Sequence, residues 1–352
     1  MTVAVTGALP AAAYPEYLRC LAEADESAAV EVARGLLDAG VPADRVLLDL
    51  VAPAQAEVGE RWARNEWNVA QEHAATHVSE QVVAAVSAYA GVRPERGRVV
   101  VACMDGEWHA LPARLVAEVL RLRGWQVTFL GASVPAAHLV SYLHRHDAYA
   151  VALACALPMR LPQAHRMIEA CRRSDVPIVV GGRGFGVDGR WARRLGVAWA
   201  PDAPAAAELL ADERALRASP PAGLAQLADD EYAGLISRRA ELIDSALAEL
   251  AHRMPATRVY TPSQLDSTVS DLGYILDFLA AALYVDDGSL FTEFVEWLEA
   301  ILDSRGVPAV AIAGTLRHLS GALRDFPRAA GYLADGYVSL PSPERRASAP
   351  EA

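Results

Sequence analysis

The stretch that most constrains the fold is residues 99–109, VVVACMDGEWH, in which an apolar run ends abruptly in a polar loop. The run at 99–103 is short, continuous and rich in valine, which is typical of a parallel strand covered on both faces. Two acidic residues and a glycine at 105–107 break the run, and residues 112–123 have helical spacing. Ligands of open α/β sheets lie beyond the carboxyl ends of the strands, so His109 is predicted to lie where a ligand binds.

The chemistry of this loop depends on its histidine and its two carboxylates. A carboxylate that binds one ring nitrogen fixes the tautomer of a histidine and raises its basicity, which prepares the other nitrogen for a metal. Asp105 and Glu107 are the candidate partners of His109. A solvent-exposed loop histidine without a ligand is the alternative that this stretch alone leaves open.

The segment Glu107-Trp-His109 resembles the loop of cobalamin-binding domains, which consists of an acidic residue, any residue, histidine, two residues and glycine. In that family the loop histidine is the lower axial ligand of cobalt, so the resemblance implies that role for His109. The glycine of the motif is replaced here by Pro112, which stiffens the turn.

Composition narrows the class of protein. A length of 352 residues predicts two or three domains, and 53% hydrophobic with 22% charged residues is typical of a globular chain. A net charge of −12 argues against a nucleic-acid surface. We expect no membrane span and no signal peptide, because no apolar run approaches the length that a bilayer requires. Four scattered cysteines suit a reducing cytoplasm and form no zinc pattern.

The hydrophobic periodicity predicts an α/β domain between two all-α regions. Residues 14–91 have helical spacing throughout and predict a four-helix bundle. Residues 97–213 alternate strand and helix, which predicts a flavodoxin-like, doubly wound sheet. Its strand candidates are 99–103, 126–130, 150–155, 178–180 and 197–199. Residues 224–340 return to helix, with a helix start at Thr261 and Gln264. Residues 1–13 predict a frayed end, 91–97 and 215–223 two linkers, and 339–352 a disordered tail.

Three further strand ends match the cobalamin-binding fold. After the second strand, the segment 131–135 contains Ser133 among small residues that allow close approach of a ligand. The family has a serine after its third strand that lines the channel for the nucleotide tail, and Cys155 occupies that position here. Gly181 and Gly182 follow the fourth strand and would let a flat ring system lie against the backbone.

The helical bundle carries a pattern that concerns the other face of the cofactor. Trp62 is followed after nine intervening residues by Glu72 and His73. This pattern resembles the adenosyl-binding cap of the cobalamin-dependent, light-sensing repressors of carotenoid synthesis. The resemblance implies adenosylcobalamin, with Trp62 packed over the adenosyl group and Glu72 hydrogen-bonded to it. It also implies that His73 can reach cobalt as an upper ligand after photolysis. His77, one turn later, is a weaker second candidate.

The domain order resembles the photocobilins, which bind cobalamin and the linear tetrapyrrole biliverdin. It implies that the third region is a globin-like, bilin-binding helical module. A bilin requires an acid or a carbonyl for its pyrrole nitrogens and cations for its propionates. The candidate residues are Asp271, Tyr274, Asp277, Phe278, Tyr284, Trp297 and His318, with Arg238, Arg239, Arg258 and Arg317 for the propionates. Ordinary core packing is the alternative for each of them, and His318 as a haem ligand is a rival.

Two functions remain open. The first is a light-responsive cobalamin receptor that binds no nucleic acid and no membrane and signals to an unknown effector protein or through a homo-oligomer. We expect no enzymatic turnover, because no nucleophile–base pair is evident. The alternative is a corrinoid carrier of methylcobalamin in a methyltransferase system, which would not require Trp62, Glu72 and His73. A cofactor-free interaction module is a third reading.

Overall fold

The computed structural model describes residues 9–217 and 223–341. The chain divides into two compact units, with the boundary between residues 221 and 222. The predicted frayed start and disordered tail lie mostly outside the described residues, at 1–8 and 342–352. The two units are described separately below.

The first unit begins with the predicted helical bundle. Residues 43–63 form one continuous rod, because a π-helical turn at Val46–Val51 joins two helices. The longest helix of the bundle, Val69–Ala90, begins with a capping box, in which the side chains of Asn68 and Gln71 each accept a hydrogen bond from the backbone N–H of the other. Side chains from all parts of the bundle are buried in one core. The helices are α1 (Ala13–Glu23), α2 (Glu26–Asp38), α3 (Ala43–Arg45), α4 (Ala52–Ala63) and α5 (Val69–Ala90).

A five-stranded parallel sheet follows, which confirms the predicted flavodoxin-like arrangement. Its strand order is β2-β1-β3-β4-β5, the order of that doubly wound fold. The central strands are buried on both faces, as their continuous apolar runs predict. The strands are β1 (Arg98–Cys103), β2 (Gln126–Gly131), β3 (Ala150–Ala154), β4 (Ile178–Gly181) and β5 (Ala198–Trp199).

Six helices accompany the sheet. They are α6 (Ala110–Leu122), α7 (Ala136–His146), α8 (Leu161–Arg172), α9 (Arg190–Arg194), α10 (Ala203–Ala211) and α11 (Glu213–Arg217). The last of these corrects the prediction of a linker at 215–223, since residues 215–217 are helical, and Leu216 is buried against the sheet. The remainder of that predicted linker falls largely at 218–222, outside the described residues.

The bundle and the sheet are joined through α6. Leu111 and Leu115 of α6 belong to the core of the bundle. Glu118 on the same helix is 1% exposed and accepts a hydrogen bond of 2.7 Å from the Ser87 hydroxyl of α5. Two arginines of α6 neutralise this buried carboxylate: Arg114 at 2.8 Å, and Arg121. The helix that follows β1 is therefore bound to the bundle by both apolar and charged contacts.

The second unit is entirely helical in its described part, as predicted. Its helices are α12 (Glu231–Arg253), α13 (Pro262–Val285), α14 (Gly288–Ser304), α15 (Ala309–Ala322) and α16 (Pro327–Ser339). The expected capping box of Thr261 and Gln264 begins α13. Glu231 caps the start of α16, because its buried carboxylate accepts from the backbone N–H groups of Arg328 at 3.1 Å and Ala329 at 2.9 Å.

Helix α13 is the longest of the second unit, with 24 residues. Within the described residues it is the one helix that is long and apolar enough to cross a membrane, by length and composition alone. However, 67% of its most apolar window is buried inside the protein. This degree of burial is typical of the central helix of a helical bundle.

Candidate functional site

The loop after β1 is organised around one buried carboxylate. The side chain of Glu107 is 1% exposed, although it lies in a polar loop. One of its oxygens accepts from the backbone N–H of His109 at 2.9 Å and from the ring Nδ1 of His109 at 2.6 Å. The other accepts from the backbone N–H groups of Ala156 at 2.7 Å and Leu157 at 3.3 Å, in the loop after β3. Glu107 therefore fixes both the imidazole and the neighbouring loop.

These contacts set the charge of the pair. Burial alone would raise the pKa of Glu107, but the hydrogen bonds from His109 and Ala156 outweigh it and lower that pKa. The hydrogen bond to Glu107 raises the pKa of His109 against the opposing effect of burial. Asp105 is exposed, so of the two predicted carboxylates Glu107 is the one that binds the ring.

His109 presents its other nitrogen to the outside. Its side chain is 57% exposed, and its Nδ1 is occupied by Glu107, so Nε2 is the atom available to a ligand. A histidine whose far nitrogen is held by a carboxylate is the usual form of a metal-binding imidazole. No group of three or more His, Cys, Asp or Glu side chains gathers as a metal site among the described residues. The donor set therefore suits a metal that needs one protein ligand, as cobalt in a corrin does.

The predicted cap residues lie at the ends of two bundle helices. Trp62 is half-buried near the end of α4, and Glu72 and His73 lie in the first turn of α5. One oxygen of Glu72 is 2.5 Å from Nδ1 of His73, and the other accepts from the Thr76 hydroxyl at 3.0 Å. The imidazole of His73 is 73% exposed. His77, the weaker candidate, lies 3.8 Å from Glu26 instead.

Glu72 of the cap acts electrostatically on the histidine loop. Its charge contributes to the raised pKa of His109, after the larger effects of Glu107 and burial. The two residues are 37 positions apart in the chain (109 − 72 = 37).

An apolar cavity of about 310 Å³ lies between the sheet and helices α6 and α10. This volume is at the lower end of small-molecule sites, which span about 300–1,000 Å³. Pro112, at the glycine position of the family motif, lines the cavity, as do the predicted Gly181 and Gly182. The other lining residues include Leu48, Val101, Ala113, Val116, Ala154, Val180, Pro201 and Ala203. The cavity begins at Pro112, three residues after His109, and its apolar lining suits a flat aromatic group.

Two predicted contacts are placed differently. Cys155 was expected to line the channel for the nucleotide tail, but it is fully buried and absent from the cavity wall, where Ala154 takes its place. Neighbouring residues at a strand end point in opposite directions, and the thiol faces Gly184, where an added Cβ would lie 2.6 Å from Sγ. Ser133 has a φ of +48° and supports the histidine loop, since its hydroxyl accepts from the N–H of Gly106 at 3.1 Å.

Several residues predicted to bind a bilin are engaged within the second unit. Asp277 forms a bidentate ion pair with Arg239 at 2.6 and 2.9 Å. Phe278 is buried and stacks on Phe294 with 3.8 Å between ring centroids. The Nε2 atom of His318 is 2.7 Å from the Ser245 hydroxyl, so the nitrogen that a haem would need is already occupied. Asp277 and His318, both predicted to bind a tetrapyrrole, are therefore engaged with residues of other helices in this structure.

The other predicted bilin-binding residues of this unit differ in their exposure. Tyr274 and Trp297 are 45% and 46% exposed, and Asp271 is half-buried, with its pKa raised by desolvation. Tyr284 is buried in contact with Tyr232. Of the predicted propionate partners, Arg238 pairs with Glu241, Arg239 with Asp277, and Arg317 lies over the ring of Tyr337. The side chain of Arg258 is outside the described part of the chain.

One residue of the site has no signal in the sequence. Arg160, on a 3-10 turn at Pro158–Arg160, lies against the histidine loop so closely that a Cβ at Gly106 would be 3.0 Å from its Nη1 atom. The two positions are 54 residues apart (160 − 106 = 54), and arginine after a strand is common. Only the folded chain brings this guanidinium to the loop.

Comparisons with known proteins agree with this geometry. Residues 97–210 match the family model of the B12 binding domain, and residues 15–87 match a second model of the same description. The HTH-type transcriptional repressor CarH of Myxococcus xanthus is 36% identical over 104 residues, which are 29% of this chain and 33% of the repressor. The chain thus matches about a third of the length of that relative.

Three solved structures are similar to parts of this chain, each with a TM-score below 0.5. The monomethylamine corrinoid protein of Methanosarcina barkeri is 20% identical, with a TM-score of 0.48 over 56% of this chain and 96% of its own. The methanol:cobalamin methyltransferase complex MtaBC of the same organism is 17% identical, with a TM-score of 0.31 over 61% and 83%. A cobalamin-binding protein of Desulfitobacterium hafniense DCB-2 is 20% identical, with a TM-score of 0.30 over 55% and 94%.

The two family models cover the bundle and the sheet. Within the sheet domain, Nε2 of His109 is available to a ligand, and an apolar cavity lies close to the same loop. This chain is therefore a cobalamin-binding protein, in which a Rossmann-like B12 binding domain follows an N-terminal helical cap.

Proposed function

We propose that this protein is a light-responsive receptor whose chromophore is adenosylcobalamin, held between the cap and the sheet. The observation that carries the proposal is that the bundle before the B12 binding domain holds Trp62 at the end of α4 and the contacting pair Glu72 and His73 near the start of α5. These are the residues that the resemblance to the light-sensing repressors assigns to the upper face of the cofactor. The similarity to the transcriptional repressor CarH supports the same reading.

The roles of the residues follow from their contacts. Nε2 of His109 would hold the cobalt, and Glu107 keeps the imidazole in the tautomer that this role requires. Trp62 and Glu72 cover the upper face, as the resemblance to the light-sensing repressors implies. The cofactor, when bound, supplies a cobalt–carbon bond that visible light breaks.

His73 is the residue that responds to light. Its imidazole is 73% exposed, and among the described residues its polar partner is Glu72. It would therefore supply a second imidazole on the cap side of the cofactor. Its movement towards the cofactor would draw the cap against the sheet, a shift between two conformations driven by different contacts in each. We propose that this change, rather than turnover, is the output, and that a partner protein or a second copy of the chain reads it.

The test compares absorption spectra before and after illumination of protein reconstituted with adenosylcobalamin in the dark. We expect wild-type protein to change its spectrum, and His73→Ala to give a different photoproduct. His77→Ala is the matched control, because His77 is an exposed histidine one turn along the same helix. Identical spectra in the dark and in the light would refute photoreception. Preferential binding of methylcobalamin, with methyl transfer to a partner, would favour the corrinoid carrier.

We further propose that the helical second unit binds a linear tetrapyrrole such as biliverdin, and does so without a thioether, because it contains no cysteine. Asp271, Tyr274 and Phe278 recur at positions i, i+3 and i+7 of α13, and thus share one side of that helix. Phe294, stacked on Phe278, has its ring centroid 6.2 Å from that of Trp297 on α14. This aromatic face, with one half-buried acid, has the chemistry that a bilin requires. We propose that the domain is globin-like in this respect.

The bilin proposal is tested by titrating the full chain with biliverdin and following its visible absorbance. We expect Tyr274→Ala and Trp297→Ala to weaken binding, since each removes an exposed ring from the aromatic face. Tyr337→Ala is the control, because Tyr337 is also partly exposed but lies on α16. Equal affinity of all three variants would contradict the assigned face, while no binding by wild-type protein would refute the bilin function.

A further inference from the structure

Among the described residues, Arg160 is a cation without an ion-pair partner, and it lies beside the loop that carries His109. Its guanidinium lies against Gly106, the residue directly before Glu107. Its Nε atom is buried and has no hydrogen-bond partner in the described part of the chain. Gly106 has a φ of +76°, and an added Cβ there would lie 3.0 Å from Nη1. The loop is therefore shaped to accommodate this side chain.

The neighbouring carboxylate does not neutralise Arg160. Both oxygens of Glu107 are occupied by N–H groups of His109, Ala156 and Leu157. Within residues 9–217 and 223–341, Arg160 forms no ion pair within 4.0 Å with any carboxylate. An unpaired guanidinium next to a ligand site is a ready donor for an external anion.

A second arginine lies on the adjoining turn. Arg183 begins a 3-10 turn at Arg183–Phe185, which directly follows Gly181 and Gly182 of the cavity. This turn contacts the one that carries Arg160, and the N–H of Gly184 donates to the carbonyl of Cys155 at 2.9 Å between them. Arg183 is exposed, and it too has no carboxylate partner among the residues that the structure describes. Two unneutralised guanidinium groups thus stand on touching turns at one edge of the sheet.

We propose that Arg160 and Arg183 bind the phosphodiester of the cobalamin nucleotide tail, an inference that depends on cobalamin binding at this site. The phosphodiester is the anionic group of cobalamin, and it links the corrin to the base that enters the apolar cavity. It must therefore pass between His109 and the mouth of the cavity at Gly182. The site otherwise presents the carboxylates of Glu72, Asp105 and Glu107, which would repel a phosphate. Arginine matches phosphate geometry through two parallel N–H bonds.

The test compares two corrinoids in the dark. Adenosylcobalamin contains the phosphodiester, whereas adenosylcobinamide has the same corrin and adenosyl group but lacks phosphate, ribose and base. Dissociation constants are measured by absorbance titration for wild-type protein, Arg160→Gln and Arg183→Gln. Arg166→Gln is the matched control, because Arg166 is an exposed arginine on α8. Arg160→Lys keeps the charge and shows whether the loop has simply been disturbed.

We expect each glutamine variant to bind adenosylcobalamin about tenfold more weakly, the loss typical of one hydrogen bond to a charged group. The dissociation constant for adenosylcobinamide should change less than about twofold, because this corrinoid lacks the phosphodiester that the arginines would bind. Arg160→Lys should recover part of the lost affinity for adenosylcobalamin. Increasing salt should weaken cobalamin binding less in the variants than in wild-type protein, because the phosphate contact is screened. This salt dependence is decisive if cobinamide binds too weakly to titrate.

Equal weakening of both corrinoids, or wild-type affinity and salt dependence in both variants, would overturn the assignment of the two arginines. Wild-type protein that fails to bind either corrinoid would instead count against the cobalamin function itself.

Discussion

Replacing Glu107 by glutamine tests the organisation of the site without the cofactor. The carboxylate accepts four hydrogen bonds, two from His109 and two from the loop after β3, and it is 1% exposed. A glutamine amide has one oxygen and one NH₂ group. In either orientation the NH₂ group faces N–H donors and cannot accept from them. Glu107→Gln therefore loses the bonds of one side and weakens those of the other.

The magnitude follows from the distances. If the amide oxygen turns to His109, the bonds from Ala156 at 2.7 Å and Leu157 at 3.3 Å are lost. A hydrogen bond to a charged group contributes about 1.5–3 kcal/mol, and the longer bond counts for little. We expect the free energy of unfolding of the first unit to fall by about 3 kcal/mol. Cobalamin affinity should fall about 10–100-fold, as for other residues that orient a metal ligand.

The assay is urea unfolding of the full chain, in which the transition that added cobalamin shifts is assigned to the first unit. Hydrogen exchange at the Ala156 amide provides a local readout. Asp105→Asn is the matched control, since Asp105 is an exposed acid of the same loop, and its loss should cost less than about 0.5 kcal/mol. A change below about 1 kcal/mol in Glu107→Gln, with the Ala156 amide as protected as in wild-type protein, would refute this reasoning.

Three further changes have defined outcomes. Gly184→Ala should lower the free energy of unfolding by about 1–3 kcal/mol, because its Cβ would lie 2.6 Å from a buried sulfur, while Gly59→Ala, with open space around it, should be neutral or stabilising in the same urea titration. Ser87→Ala should cost about 1–2 kcal/mol, since it removes the 2.7 Å bond to buried Glu118, and equal stability would contradict that role. Desolvation raises the pKa of Asp271, so its ionised form is disfavoured in the folded state. Asp271→Asn should therefore raise the melting temperature at pH 7 by a few degrees, and this gain should vanish as the pH falls below the unfolded pKa of about 3.9; a gain that persists there would be inconsistent.

Sequence reasoning predicted the order of elements because apolar runs and breaks are local signals. The run at 99–103, the glycines after β4 and the capping box at Thr261 each depend on residues close together in the chain. The alternation of strand and helix predicted a doubly wound, flavodoxin-like sheet, and the observed strand order agrees with it. His109 and its acidic partner were also predicted, since the two are two positions apart.

Contacts between distant residues could not be predicted in this way. The bonds from Glu107 to Ala156 and Leu157 span 49 and 50 positions, and the pairing of Asp277 with Arg239 spans 38. No local sequence feature distinguishes a carboxylate that binds a ligand from one that forms an ion pair with an arginine on another helix. The π-helical turn at Val46–Val51 was missed because its apolar residues fit the ordinary helical period. The orientation of Cys155 depended on Gly184, which lies on another loop.

The position of His109 has a consequence for the proposed signalling. His109 is the residue directly before α6, so a displacement of its backbone acts directly on that helix. Nine residues later on α6, Glu118 is hydrogen-bonded to Ser87 of α5, the helix that also carries His73 near its start. The two histidines that we propose as cobalt ligands thus lie beside helices that are joined by one buried hydrogen bond. We expect a movement of either helix to reach the other through this contact.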